Sequence, residues 1–264
     1  MTLVSSYRDN RELFVNLTLR ELRSKYKRSF LGWAWSLVTP LATMAVYTIV
    51  FKLFLRATPK AGVHGLDVFS LWLMCALLPW AFFSAGMMGA IGSLVGNASL
   101  ISKTYFDRRL LPAANVGAAL VTHLIEMSLL VLVLVAFGDW NALAFSPMLV
   151  VLIAITSIAG FGMGLLLSSL NVYFRDIEHF MAIVMMIWFY LTPIIYPIAT
   201  AKRFAPFIKL NPMTELTNSF RAVLYYGKFP TAVDLGVSVA FASFALAIGW
   251  TVFNRLQGGF AEEL

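Results

Sequence analysis

Long apolar runs alternate along the chain with short charged connections. Six runs stand out, at about 34–56, 68–91, 114–137, 147–170, 180–198 and 232–253. Each is close to or above the roughly 20 residues that a helix needs to cross a hydrocarbon core of about 30 Å. They are too long for strands, and backbone polar groups in lipid must be paired within the protein, so the pattern predicts helices. Two stretches break the pattern: a polar segment over 1–33 and a mixed region over 199–228. The chain therefore reads as an all-α integral membrane protein with six transmembrane helices. Residues 1–33 form a cytoplasmic interface segment, 34–254 a transmembrane domain, and 255–264 a cytoplasmic tail.

Composition removes the other classes. Apolar residues make up 60% of the 264 and charged residues 12%, against roughly 45–50% and about 25% in an ordinary soluble domain. With 20 basic and 13 acidic side chains the chain cannot cover a soluble surface, which excludes a soluble enzyme and a disordered tail protein. Cys75 is the single cysteine, so an internal disulfide framework and a Cys-rich metal site are excluded. No G-x-x-x-x-G-K-[ST] sequence occurs. ATP-driven work would require a second subunit to hold the nucleotide. The first 30 residues are charged rather than apolar, so no cleavable signal peptide is expected.

The net charge of +7 gains meaning from its distribution. Seven cations lie in 1–33, three in the second loop (Lys103, Arg108, Arg109), and Arg175 and Arg255 share that side, twelve in all. Eight lie opposite, five of them (Lys202, Arg203, Lys209, Arg221, Lys228) in the fifth loop. The basic start predicts both termini in the cytoplasm.

Residues 10–28 read as an amphipathic helix. Val15, Leu19, Leu22 and Tyr26 recur at spacings of four, three and four, and Arg11, Arg20, Arg23, Lys25, Lys27 and Arg28 supply the basic complement. Such a helix lies at the interface with its cations near anionic headgroups; a simple topology anchor is the other reading. RNA binding is disfavoured because the cluster abuts a span and has no stacking platform.

The run from Leu22 through Arg23, Ser24, Lys25, Tyr26, Lys27, Arg28, Ser29, Phe30, Leu31, Gly32, Trp33, Ala34 and Trp35 to Pro40 resembles the N-terminal signature of ABC-2 type permeases that export polysaccharides, such as O-antigen, teichoic acid, capsule and galactan. Asn171-Val172-Tyr173-Phe174-Arg175-Asp176-Ile177 resembles the family's short motif after the fourth span. Leu210-Asn211-Pro212-Met213 with Arg221 resembles its loop before the last span. The resemblance implies a homodimer with the pathway between protomers, two copies of an ABC ATPase that bind ATP and Mg, and a lipid-linked polysaccharide as substrate in the bacterial cytoplasmic membrane. It implies no catalytic residue in this chain. Arg20, Arg23, Tyr26, Arg28 and Trp33 then belong to the helix past which substrate is admitted.

The loops fit that frame. A short helix over about 98–107 would bring Ile101, Tyr105 and Phe106 together beside Lys103, Asp107 and Arg108. The resemblance makes this a coupling helix on the ATPase; an ordinary positive-inside loop is the alternative. In the fourth loop Arg175 is spaced to pair with Glu178, and Asp176 to cap the following span. The resemblance adds a transmission role. In the fifth, Thr192-Pro193 and Tyr196-Pro197 disrupt the helix ladder. Two short helices follow, about 200–208 and 213–226, divided by Asn211-Pro212, with Glu215 and Arg221 in the second. Broken backbone in lipid is tolerated only under protein or beside a water-filled cavity. The resemblance implies re-entrant gate helices at the outer leaflet; a plain loop on the headgroups is the alternative.

Inside the spans, Glu126 is the one formally charged residue between Arg109 and Asp139, with His123 three positions earlier on the same face. A buried pair or protonated acid, a lining of a hydrated pathway, and acid–base chemistry all remain open. Trp33, Trp35, Trp72 and Trp140 fall near span ends as interface belts. Trp188, Phe189, Tyr190 and Tyr196 cluster before the fifth loop, where aromatic planes could stack on sugar faces; ordinary packing is the alternative. Gly160, Gly162 and Gly164, with Gly86 and Gly89, mark close helix contacts. The reading is an ATP-driven polysaccharide permease subunit. Its rivals are an ABC-2 exporter of a small lipid or drug, a membrane glycosyl- or acyltransferase using His123 and Glu126, and a proton-driven transporter.

Overall fold

A computed structural model describes residues 3–26, 32–50, 62–63 and 68–264. Every regular element among them is helical. In chain order they are α1 (Leu3–Tyr26), α2 (Trp35–Tyr47), α3 (Phe69–Ile91), α4 (Ala98–Lys103), α5 (Leu110–Ala136), α6 (Asn141–Ala144), α7 (Ser146–Tyr173), α8 (Ile177–Leu191), α9 (Ala205–Lys209), α10 (Pro212–Leu224), α11 (Ala232–Leu256) and α12 (Phe260–Glu263), joined in places by 3₁₀ turns. Four of the six expected spans are helices long and apolar enough to cross a membrane: α3, α5, α7 and the α11–α12 stretch. The first is described only as far as Val50, and the rest of it lies outside the described residues. The fifth stops at Leu191, short of the expected 198, because Thr192 turns extended ahead of Pro193.

The central helix is α3, which is buried almost all round and packs against α5, α7, α8 and α10. An apolar sequence with no polar face suits that position. Its N-terminal turn meets α2 through a hydrogen bond between the Thr48 and Ser70 hydroxyls (3.0 Å). Its far end is fixed to α7, where the Asn171 amide donates to the Ile91 carbonyl (3.3 Å). The longest packing seam joins α7 to α11. There Gly162 and Gly249 face one another so closely that a Cβ on Gly249 would strike the Gly162 carbonyl. A Cβ on Gly162 would lie 2.6 Å from Cα of Leu246. Small residues let helices approach in the absence of a water-driven force. Gly164 gives the same freedom against Ala90, where a Cβ would stand 2.7 Å from the alanine methyl.

Burial divides into two cores. The larger runs along α3, α5, α7, α8 and α10. A second gathers Leu17 of α1, Ile101 of α4, Leu111 of α5, Val172 of α7, Phe253 of α11 and Phe260 of α12 at the end of the bundle that the charge pattern assigns to the cytoplasm. The second core shows how α1 docks, where the 98–107 helix ends and what residues 255–264 pack against. The face of α1 that docks is Leu17, Thr18 and Leu22, whereas Val15 and Leu19 stay exposed. The reason is Gly117 of α5, whose missing side chain admits Phe14 and Thr18. The 98–107 helix ends at Lys103 because Thr104 adopts an extended conformation, φ −137° and ψ 135°. Within residues 255–264, Phe260 is fully buried in this second core.

The glycine seam supplies a test. Gly162→Val or Gly249→Val inserts atoms where backbone already stands, and overpacking of this kind costs about 3 kcal/mol. Thermal unfolding in a fixed detergent checks it: both variants unfold well below wild type, whereas Gly236→Ala, which meets nothing within 4 Å, does not.

Candidate functional site

The break after α8 concentrates the polar chemistry of one end of the bundle. Ending a helix at Thr192 and Pro193 frees carbonyl groups that lipid cannot satisfy. Arg221, near the end of α10 and only 3% exposed, answers them. Its guanidinium donates to the carbonyl oxygens of Pro193 (2.5 Å), Ile194 and Trp72 (3.3 Å). The same group lies over the Trp72 ring, 3.6 Å from the centroid. Burial lowers the pKa of Arg221 to about 9, so it remains a cation at neutral pH. Trp72, expected in an interface belt, is instead buried beneath this cation, and its indole N–H donates to the Tyr226 hydroxyl (3.2 Å).

Asn211 makes the second tie. Its side-chain oxygen caps α10 by accepting from the Met213 amide (3.0 Å) and also accepts from the Trp188 indole N–H (2.8 Å). Its amide nitrogen donates to the Thr192 hydroxyl (2.9 Å). Pro212 follows at the first helical position, where a missing N–H costs nothing. The expected gate residues Pro193, Asn211, Pro212 and Arg221 are thus brought together. Pro197 lies in the adjoining non-helical stretch. Glu215 is buried on α10 beside Asp234 of the α11 capping box; burial, then the Asp234 carboxylate, raise its pKa to about 7. Thr192, read from the sequence only as part of the helix break, also accepts the hydrogen bond from Asn211.

Of the four aromatics around the break, two turn inward. Trp188 meets Trp80, Phe83 and Phe241 edge-on, with centroids 6.0, 5.6 and 6.3 Å away. Phe189 packs on Trp80 at 5.9 Å and stacks on Tyr47 at 6.1 Å. Tyr190 is exposed, and Tyr196 donates its hydroxyl to the Tyr190 carbonyl (2.9 Å). The uncovered face of α8 is instead Phe180, Ile183, Ile187 and Tyr190, each more than half exposed.

His123 and Glu126 line a groove of about 270 Å³ with Lys25, Trp35, Thr39 and Phe82. Glu126 also borders an adjoining groove of about 270 Å³ with apolar walls. No hydrogen bond joins the two residues: the His123 ring stacks on Phe82, centroids 4.7 Å apart, and neither ring nitrogen has a partner among the described residues.

At the opposite end the expected coupling residues separate. Ile101 is buried and anchors α4. Lys103 and Tyr105 are exposed, Tyr105 completely. Phe106 packs against the second core. Asp107 accepts from the Arg109 side chain (2.8 Å), and Arg108 donates to the Gln257 carbonyl. Arg175 and Asp176 are exposed. Asp176 stands at the N-cap of α8 without a side-chain capping bond, and no ion pair joins Arg175 to Glu178 among the described residues. The Glu178 carboxylate points to Gly92 instead, where a Cβ would lie 3.6 Å away. In α1, Arg20 pairs with Glu21 (2.8 Å) and donates to the Asn97 side chain (2.7 Å), while Arg23 is exposed. Arg28 and the side chains of Tyr26 and Trp33 lie outside the described residues.

The sequence profile of the family described as ABC-2 type transporter matches residues 12–225. The chain is 29% identical over 272 residues to the O-antigen export system permease protein RfbA of Myxococcus xanthus, covering 99% of both. To the O-antigen export system permease protein RfbA of Klebsiella pneumoniae it is 28% identical over 256 residues, covering 96% of this chain and 95% of that one. To the polysialic acid transport protein KpsM of Escherichia coli it is 22% identical over 247 residues, covering 91% and 92%.

The two ties predict a graded loss. Arg221→Met leaves three acceptors without their charged donor and costs about 3 kcal/mol; Arg221→Lys recovers little, because an ammonium cannot span a fork of carbonyls. Asn211→Ala removes a cap and a bridge for about 1–2 kcal/mol. Thermal unfolding of the purified variants ranks them, and an Arg221→Met protein as stable as wild type contradicts the assignment.

Proposed function

The chain belongs to the ABC-2 type transporter family, and from that premise we propose that it is the membrane permease subunit of an ATP-driven exporter that moves a lipid-linked polysaccharide across the bacterial cytoplasmic membrane. The observation that carries this reading is similarity along nearly the whole chain to permeases named for O-antigen export, supported by KpsM, named for polysialic acid transport. No catalytic residue is assigned; the chain moves its substrate, and bond cleavage belongs to the partner.

Two copies of the chain enclose the pathway, and two ABC ATPase subunits bind ATP and Mg beneath them. The uncovered stripe of α8, from Phe180 to Tyr190, faces that pathway. A lining of apolar and aromatic side chains without fixed hydrogen-bond donors passes sugars by their C–H faces and holds none of them tightly. At the outer leaflet α9 and α10 form a re-entrant gate. The ties of Asn211 and Arg221 to the 192–194 backbone let that gate move as a unit with α8. At the inner leaflet the exposed Arg23 sits among anionic headgroups and guides the lipid anchor past α1. Exposed Lys103, Tyr105, Arg175 and Asp176 meet the ATPase, with both termini on that side. Closure of the ATPase dimer on ATP displaces these loops, and the spans part.

Depletion of the gene in its own host tests the reading. Surface polysaccharide is lost while lipid-linked glycan accumulates at the inner leaflet, and a copy restored in trans reverses both. Unchanged surface glycan with newly acquired sensitivity to a small amphiphile would contradict it and favour an exporter of small lipids or drugs.

A further inference from the structure

Two stretches carry the exposed groups that the proposed function turns to the ATPase, the 98–109 connection and the 174–176 turn. Neither is self-supporting. α4 has six residues, well short of the length at which a helix persists alone. Residues 104–107 after it form no helix. Both are held by a third segment that follows the last long helix.

α11 reaches Leu256, a 3₁₀ turn covers Gln257–Gly259, and α12 presses Phe260 into the second core. Phe260 is fully buried, edge-on to Phe253 with centroids 5.3 Å apart and tilted against Tyr173 at 6.3 Å. Ile101 of α4 lies in the same cluster. The main chain from the last residue of α11 into the turn supplies two acceptors, one for each stretch. The Gln257 carbonyl takes the Arg108 guanidinium, from the 98–109 connection. The Leu256 carbonyl takes the Tyr173 hydroxyl (3.0 Å), next to the 174–176 turn. Gly259 makes room for that hydroxyl, since a Cβ there would lie 2.6 Å from it. Arg109 adds a further hold on α11, its guanidinium 4.2 Å from the Trp250 ring centroid.

We propose that the 256–264 segment is a positioning strut that locks the 98–109 and 173–176 stretches into one block, with Phe260 as its key. The inference rests on the reading that these stretches face the ATPase. Displacement of either stretch then moves the other and α11 together. Through the Gly162–Gly249 crossing the same displacement reaches α7. Without the strut the ATPase would push on two independent loops, and hydrolysis would run without moving the spans.

Full-length permease carrying Phe260→Ala, Phe260→Leu or Tyr173→Phe tests this in two measurements. In hydrogen exchange on the permease alone, Phe260→Ala speeds the amides of 98–109 and 173–176 together by about tenfold or more and leaves α3 unchanged. In the complex with its ATPase, basal hydrolysis and the amount of co-purified ATPase stay at wild-type levels. Polymer exported per ATP falls at least about fivefold, by the loss of local order. Phe260→Leu restores most of both. Should Phe260→Ala fail to accumulate, Tyr173→Phe, which removes one hydroxyl and no packing, carries the test alone, with faster exchange at 173–176 and a lower export ratio expected. Wild-type protection and an unchanged export ratio in the variants would overturn the strut. If the exchange result holds but wild-type permease binds no ATPase, the functional reading fails and the strut stands as a structural element only.

Discussion

A single buried guanidinium holds one end of the bundle together. A helix that stops inside or beside lipid leaves carbonyls that no solvent will take, and the stop after Leu191 leaves its carbonyls beneath protein. Arg221 suits the task because its fork carries five donors and keeps its charge when buried. It reaches the oxygens of Pro193 and Ile194 on one side and Trp72 on the other, with the Trp72 ring as its floor. Asn211 then repeats the logic on a smaller scale, capping α10 while holding Trp188 and Thr192. These ties join α10 to the backbone that follows α8, and packing of α10 against α3 adds to them. With them, a short apolar helix and a folded hairpin replace a seven-residue extension of the fifth run.

How much of this could be read from the sequence depends on the range of the interaction. The apolar runs were legible because lipid imposes a length on them, and the break was legible because Pro193 and Pro197 cannot join a helix ladder. Asn211 and Arg221 could be singled out as polar residues in a mixed loop. Their partners could not, since a backbone carbonyl has no sequence signature. Trp188 illustrates the limit. Its position among aromatics suggested a sugar-facing ring, but its indole N–H is engaged by a residue 23 positions later. The short helix at 98–103 lost its expected last turn to the backbone of Thr104, and Phe260 gave no signal beyond one apolar residue in a polar stretch.

The charges also change meaning once placed. Counted along the sequence, the cations of the fifth loop weaken the assignment of sides. Arg221 is one of those five, and it is buried, bonded to carbonyls and in no position to act as a loop charge. Arg108 and Arg109 are likewise spent internally, on Gln257 and on Asp107 and Trp250. Arg23, Lys103 and Arg175 stay exposed, and the proposed function uses them.

These features join a rigid clamp at one end to a compact second core at the other, with glycine-lined seams between them. Such a scaffold passes a displacement along α7 and α11 with little internal give, as the proposed drive by an ATPase requires. Reconstitution is the most direct measurement of the whole account. Purified permease and its ATPase are placed in vesicles with labelled lipid-linked polysaccharide on the ATPase side. The account predicts that glycan becomes accessible on the far side only with ATP and Mg. Movement of a small amphiphile with ATP, and none of the glycan, would contradict it.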